Sequence, residues 1–245
     1  MKALILAAGR GKRLNKITDS RNKCMLEVNG IPLIEHNLNR VIDCKEYIDE
    51  ILIVIGYRAQ DIVDRYYFSY RGIPIRYVVQ DNQKGLVHAI ECSRNALNGK
   101  DFFLLLGDEY LVNSRHKEMI EYFKSNNITG VCGILRREQS RLSEISKTYN
   151  VLMKDNNSIN KVLRLIEKPM KPLNNIQGTG HCIFKNEILD YIRYTPTHYL
   201  RNEKELPDLI QCVVDDDKVI MGFDICEEYM NVNDIKDLQN IKQLE

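Results

Sequence analysis

Residues 3–8 form an unbroken apolar run, Ala3-Leu4-Ile5-Leu6-Ala7-Ala8, that passes straight into Gly9-Arg10-Gly11-Lys12-Arg13-Leu14. Six consecutive apolar residues stopped by glycine predict a strand buried on both faces, as in a parallel sheet. The two glycines let the backbone turn tightly and approach a ligand with no Cβ in the way. Arg10, Lys12 and Arg13 then set three cations on a turn whose free N–H groups can face phosphate oxygens. This unit constrains the chain toward an α/β fold that binds a nucleotide triphosphate at a sheet edge.

Two common phosphate loops are excluded. The dinucleotide fingerprint needs a third glycine where Leu14 stands, and no G-x-x-x-x-G-K-[ST] segment occurs. The plain alternative is a glycine turn with solvated Lys and Arg, so the loop has to be weighed with the rest of the chain.

The 245 residues suit one large α/β domain, and a 44% hydrophobic, 28% charged composition is that of a globular protein. A net charge of +1 offers no basic face for nucleic acid, so any nucleotide is expected as a small molecule in a pocket. The cysteines at 24, 44, 92, 132, 182, 212 and 226 are dispersed with no CxxC pair. That pattern predicts reduced thiols and a cytoplasmic protein. The first apolar run is too short for a signal h-region, and no stretch reaches membrane-spanning length.

Apolar runs recur at 3–8, 50–55, 75–79 and 102–106. Segments of helical period lie between them at 31–44, 61–70 and 86–97. The alternation predicts a mostly parallel sheet with helices on both faces, whose strand ends are the place for ligands. Beyond residue 130 the pattern is mixed, with strands expected at 129–135, 149–153 and 162–166, a hairpin turn at Asn156-Asn157, and helices at 186–193 and 235–243. One domain is expected, with a nucleotide half at about 1–130 and an acceptor half at about 131–245.

Four polar clusters follow expected strands or precede a helix. Gln80-Asp81-Asn82-Gln83-Lys84-Gly85 joins an amide that can read a base edge to a glycine that admits the base. Gly107-Asp108-Glu109 follows the most hydrophobic run and sets a carboxylate where it could hold Mg²⁺ against phosphates. Glu167-Lys168-Pro169 offers a carboxylate to hydroxyls and an ammonium to a phosphate. Asn231-Val232-Asn233-Asp234 carries oxygen donors before the final helix, where N-capping is the alternative role.

In this order the clusters resemble the sugar-phosphate nucleotidyltransferases, the thymidylyl-, uridylyl- and cytidylyltransferases that make activated sugars. The signatures are Leu6-Ala7-Ala8-Gly9-Arg10-Gly11-Lys12-Arg13-Leu14, the segment from Lys23 to Pro32-Leu33-Ile34, Gln80 with Gly85, Gly107-Asp108, and Glu167-Lys168-Pro169. Together they span nearly the whole chain. The resemblance implies a Rossmann-like, glycosyltransferase-A-like fold and transfer of a nucleoside monophosphate from an NTP, pyrimidine favoured, to a sugar 1-phosphate. It implies that Leu6, Ala7, Ala8, Gly9, Gly11 and Lys12 hold the nucleotide, with Arg13 and Lys23 as the catalytic cations. Gln80 and Gly85 would read the base. Asp108 with Asn233 (or Asn231) would hold Mg²⁺, and Asn150, Glu167 and Lys168 would bind the acceptor.

The sequence departs from the pattern at Cys24-Met25 after Lys23, and at Asn150, where many relatives carry Gly. Lys23-Cys24 also has the flavour of cytidylyltransferases acting on phosphocholine or a phosphonate. A non-catalytic nucleotide-binding regulatory subunit is the alternative from another class. Homo-oligomerisation stays open. His88, His116, His181 and His198 are expected to be structural or surface residues.

Overall fold

The computed structural model describes residues 1–11, 14, 16–156 and 159–241. Lys12 and Arg13 therefore lie outside the described residues, as does Asn157 of the expected hairpin turn. The strands in chain order are β1 (Lys2–Leu6), β2 (Glu27–Val28), β3 (Ile31–Pro32), β4 (Glu50–Ile55), β5 (Ser69–Tyr70), β6 (Ile73–Val79) and β7 (Phe102–Leu106). They continue as β8 (Glu109–Val112), β9 (Gly130–Arg136), β10 (Tyr149–Asn156), β11 (Ile159–Glu167), β12 (Ile176–Phe184), β13 (Ile220–Asp224) and β14 (Glu228–Asn231). The helices are α1 (Lys16–Ser20), α2 (Leu33–Asp43), α3 (Ala59–Tyr66), α4 (Leu86–Cys92), α5 (Arg94–Leu97), α6 (His116–Ser125), α7 (Leu206–Asp215) and α8 (Ile235–Ile241).

Ten strands form one mixed sheet in the order β10-β11-β13-β9-β12-β7-β1-β4-β6-β5. The parallel run is confined to β7, β1, β4 and β6. Beyond β7 the pairings are antiparallel apart from β9 with β13. The period of two along β1 sends Ala3 and Ile5 to one face and Leu4 and Leu6 to the other. The first face packs with Ile34, Leu38 and Val41 of α2, Ile62 of α3, and Met119, Ile120 and Phe123 of α6. The second packs with Val87 and Ile90 of α4 and with Leu206, Leu209, Ile210 and Val213 of α7. Withdrawing each such side chain from water contributes roughly 1.5–3 kcal/mol. Both faces are therefore sealed, and ligands are left the strand ends.

Several expected bounds shift. The β1 ladder ends at Leu6, and Ala7 and Ala8 run on as a loop held by Ala7 N–H to Val54 O (2.9 Å) and Tyr57 N–H to Ala8 O (3.1 Å). The helix expected from 31 begins at Leu33, because Ile31–Pro32 pairs with Glu27–Val28 as a short hairpin. Residues 61–70 divide into α3 and β5, and residues 86–97 break at Ser93. The helix expected at 186–193 is 3₁₀ over Asn186–Tyr191. Of the expected turn pair, Asn156 ends β10 and pairs with Ile159. Among the elements not expected from the sequence are α6, β12, α7 and β13. Strand β12, Ile-Gln-Gly-Thr-Gly-His-Cys-Ile-Phe, reads as a polar glycine-rich loop, yet it lies buried between β7 and β9.

Candidate active site

The glycine loop is built by its surroundings. Asn22, fully buried, donates to Ala7 O (3.2 Å) and Tyr57 O (2.7 Å) while its Oδ1 accepts from Cys24 N (2.8 Å). This clamps the loop after β1 against the segment carrying Lys23. Gly11 takes φ +65°, and a Cβ there would stand 3.1 Å from the Lys23 side chain. A glycine is needed for both reasons.

Asp108 sits on the turn between β7 and β8. Gly107 N–H donates to Leu6 O (2.9 Å), and Asn37 of α2 grips Leu106 O (3.1 Å) and Glu109 O (3.2 Å). The chain bends there, and Asp108 lines the same cavity as Gly9, Arg10 and Gly11. Its carboxylate accepts from Lys23 Nζ at 2.5 Å, a pair with side chains 25% and 10% exposed. The backbone of Asp108 also accepts from Val232 N–H (3.0 Å), which ties the turn to the Asn231–Asn233 segment.

This first cavity, of about 500 Å³, is walled by the glycine loop, Gln80, Gly85, Asp108, Asn231 and Asn233. Gly85 has φ 89° and ψ −178°, a conformation essentially reserved to glycine. Gln80 is buried, and its Nε2 donates to Gly85 O (3.0 Å) and meets His88 Nδ1 (2.9 Å). His88 thus supports the amide rather than standing apart.

A second, smaller cavity of about 100 Å³ shares Leu86, Leu106 and Asn231 with the first. It is walled by Lys147, Tyr149, Glu167, Lys168, Glu205 and Tyr229, among others. Glu167 pairs with Lys168 Nζ and with Arg201 Nη1 (3.3 Å), and Arg201 Nε reaches Glu205 (2.9 Å). Lys168 is held at φ 39°, a strained backbone of the kind that clusters at functional sites.

Glu109, buried, lines the second cavity. It accepts from Tyr229 Oη (2.6 Å), Gly180 N (2.9 Å) and Asn231 Nδ2 (3.4 Å). Burial, opposed chiefly by the Tyr229 hydrogen bond, pushes its carboxyl up to about 8. His181 Nε2 stands 3.6 Å from it, and His181 Nδ1 meets His116 Nε2 at 2.8 Å. Burial holds His181 down, at about 3, and His116 well below the usual histidine value.

Three of the expected site residues among those described do not line either cavity. Asn150 does not line either cavity: it is fully buried, donates to Asn174 Oδ1 (2.6 Å) and Ile176 O (2.7 Å), and accepts from Leu173 N (2.8 Å). It fastens the loop that follows Glu167-Lys168-Pro169. Ala7, in the glycine loop after β1, is likewise buried, and its carbonyl accepts from Asn22. Lys23 reaches the first cavity only through Asp108. Gln83, from the cluster singled out at 80–85, lines the first cavity, whereas sequence reasoning missed Glu203, Lys147, Tyr149 and Tyr229 as cavity residues. Apart from Tyr149, which opens an expected strand, they lie in segments the sequence did not mark, and only the fold brings them in.

A family model described as nucleotidyl transferase matches residues 2–243, and the chain belongs to that family. It is a nucleotidyltransferase of the nucleotide-sugar pyrophosphorylase type. It is 30% identical over 215 residues to the UTP–glucose-1-phosphate uridylyltransferase AglF of Haloferax volcanii, covering 87% of this chain and 84% of that one. It is 29% identical over 222 residues to the bifunctional protein GlmU of Methanococcus maripaludis, covering 89% of this chain but only 48% of the relative. The chain thus spans about half the length of that bifunctional relative. Among solved structures, a UDP-glucose pyrophosphorylase complexed with UDP-glucose superposes with a TM-score of 0.86 at 20% identity, covering 99% and 97% of the two chains. A UTP-bound enzyme of the same type from Acinetobacter baumannii gives 0.81 at 18%, covering 99% and 92%. Those two likenesses are of fold.

Proposed function

We propose that this chain transfers a nucleoside monophosphate from a pyrimidine NTP to a sugar 1-phosphate, releasing pyrophosphate and an NDP-sugar. The observation that carries this reading is the pair of adjoining cavities. One has glycine-loop backbone, Gln80, Gly85 and Asp108; the other has Glu167 and Lys168; and they meet at Leu86, Leu106 and Asn231. In this reading residues 1–130 supply most of the nucleotide side and residues 131–245 most of the acceptor side. The sugar phosphate already carries an anionic oxygen, so attack at the α-phosphorus needs no general base. The protein's work is alignment and charge neutralisation. Arg10, Arg13 and Lys23 neutralise phosphate charge, Gln80 and Gly85 hold the base, Glu167 accepts from sugar hydroxyls and Lys168 meets the acceptor phosphate.

The residues suit Mg²⁺. Asp108 gives a carboxylate, and Asn231 and Asn233 give amide oxygens on the same wall; Asn231 Oδ1 is buried with no hydrogen-bond partner. These are hard oxygen donors, which magnesium prefers. Among the described residues no group of three His, Cys, Asp or Glu could hold a metal ion, so phosphate oxygens would complete the shell. When bound, Mg²⁺ would offset triphosphate charge.

Pyrophosphate release tests the reading, measured with dTTP, UTP, CTP and GTP against a panel of sugar 1-phosphates and phosphocholine. Release with a pyrimidine NTP and a sugar phosphate is expected. A preference for phosphocholine would overturn the acceptor assignment. Nucleotide-dependent thermal stabilisation without release would overturn transfer altogether.

A further inference from the structure

One polar wall of the first cavity has no role in the transfer just described. Glu203 reaches the cavity from the loop between the 3₁₀ turn at 186–191 and α7. Its Cβ and Oε2 lie 2.8 and 3.0 Å from where a Cβ on Gly85 would stand, so it faces the α-carbon of the base-side glycine. The loop is anchored on both sides of it. His198 N–H donates to Glu203 O (2.8 Å), Asn202 N–H to His198 O (2.8 Å), and Lys204 Nζ to Ile192 O (2.5 Å). Glu167 and Glu205 share Arg201, whereas the Glu203 carboxylate has no hydrogen bond or ion pair among the described residues.

Gln80 completes the pattern. Gly85 O can only accept, so the Gln80 nitrogen must face it; the other amide hydrogen points to His88 Nδ1. Both amide hydrogens are engaged, and Oε1 is the part of Gln80 left to receive a base. The wall around Gly85 therefore presents acceptors from Gln80 and Glu203. A base suited to such a wall brings N–H groups. Uracil and thymine bring one ring N–H, which can serve Gln80 Oε1, but put a carbonyl oxygen where cytosine carries its exocyclic amino group, facing the Glu203 carboxylate with no proton between them. That mismatch leaves buried acceptors unpaired.

We propose that Glu203 is a base-specificity residue that admits a nucleobase bearing an exocyclic amino group, cytosine among the pyrimidines, and disfavours uracil and thymine. This deepens the nucleotidyl-transfer reading and rests on it for the placement of the base.

The test is equilibrium binding of CTP and of UTP to the wild-type chain, E203Q and E203A, with pyrophosphate-release kcat/KM alongside. A charge-assisted hydrogen bond corresponds to a preference of about 10–100-fold. Wild type should bind CTP more tightly than UTP by that order. E203Q, whose amide can donate to a carbonyl, should bring the ratio to about one or below it; E203A should bring it to about one. Thermal melting establishes that the variants are folded. Wild-type preference for UTP or dTTP overturns the proposal. So does an equal loss for CTP and UTP in E203Q, which would assign Glu203 to the ribose or to the loop. Selective CTP binding with no pyrophosphate release would support Glu203 as the selector while sinking the transfer reading. A GTP preference that E203Q removes would also support it, because guanine carries an amino group, while overturning the pyrimidine assignment.

Discussion

The wall of the first cavity and the wall of the second are built in different ways. In the first, Leu6, Gly9, Gln80, Leu106 and Asp108 all stand at or just past the ends of the parallel strands β1, β6 and β7. Each strand end delivers a short loop to the same edge because parallel strands all finish there. In the second, Gly178 and Gly180 lie inside β12, Tyr149 opens β10, and Glu205 and Leu206 start α7. Its walls come from antiparallel pairing, and between Gly178 and Cys182 the register against β9 shifts. A parallel edge makes a phosphate site from local segments, whereas the acceptor side needs partners far apart in the chain.

The sharpest way to break that contrast is Asp108→Asn. It removes one of the two carboxylates that line the first cavity, Glu203 being the other, and leaves Lys23 without its partner. Turnover should fall about 10²–10³-fold, as when one charge-stabilising group is lost, with steady-state pyrophosphate release as the measure. Near-normal turnover would detach the turn after β7 from the chemistry. Lys168→Ala should act on the other side only. The KM for the sugar phosphate should rise about 10–100-fold, the range of one charged hydrogen bond, with the KM for NTP little changed. Equal changes in both constants would show that the two walls are not separate subsites.

Asn150→Ala probes whether the acceptor wall depends on a buried peg rather than on contact with ligand. Losing three buried hydrogen bonds should lower stability by about 2–3 kcal/mol in urea melts and raise the acceptor KM more than the NTP KM. A variant of wild-type stability would return Asn150 to the list of direct ligand contacts.

The smallest effect expected is a pH dependence centred on Glu109, which faces Asp108, Lys23, Tyr229 and His181. Its folded value of about 8 lies above the usual 4.5, so the unfolded chain releases this proton first and stability falls as pH rises from about 4.5 to about 8. His116 and His181 have depressed values, so their contribution is present above about 6.5 and is lost as pH falls below it. Together these groups favour a stability maximum near pH 6.5. E109Q should remove the loss on the alkaline side and keep the loss on the acid side. An unchanged alkaline slope in urea melts from pH 5 to pH 8 would show that Glu109 is charged in the fold.

Much of this was legible in the chain itself. The run at 3–8, the recurring apolar strands and the glycines at 9, 11, 85 and 107 are local signals, and local signals survive without knowing what packs on them. They determined the parallel half of the sheet, its loop edge and the family resemblance. Tertiary structure decided the rest. It took a polar glycine-rich segment, Ile176–Phe184, and buried it between two strands, because β7 and β9 supply the pairing its composition does not advertise. It made Asn150 a loop fastener, since three backbone and side-chain partners converge on it only after β10 meets β12. And it carried Glu203 to the α-carbon of Gly85, 118 positions away by their numbering, where a carboxylate that reads as ordinary surface charge in the sequence faces the cavity. Sequence periodicity encodes which face a residue turns; which distant residue it meets is set by packing energy summed over the whole sheet.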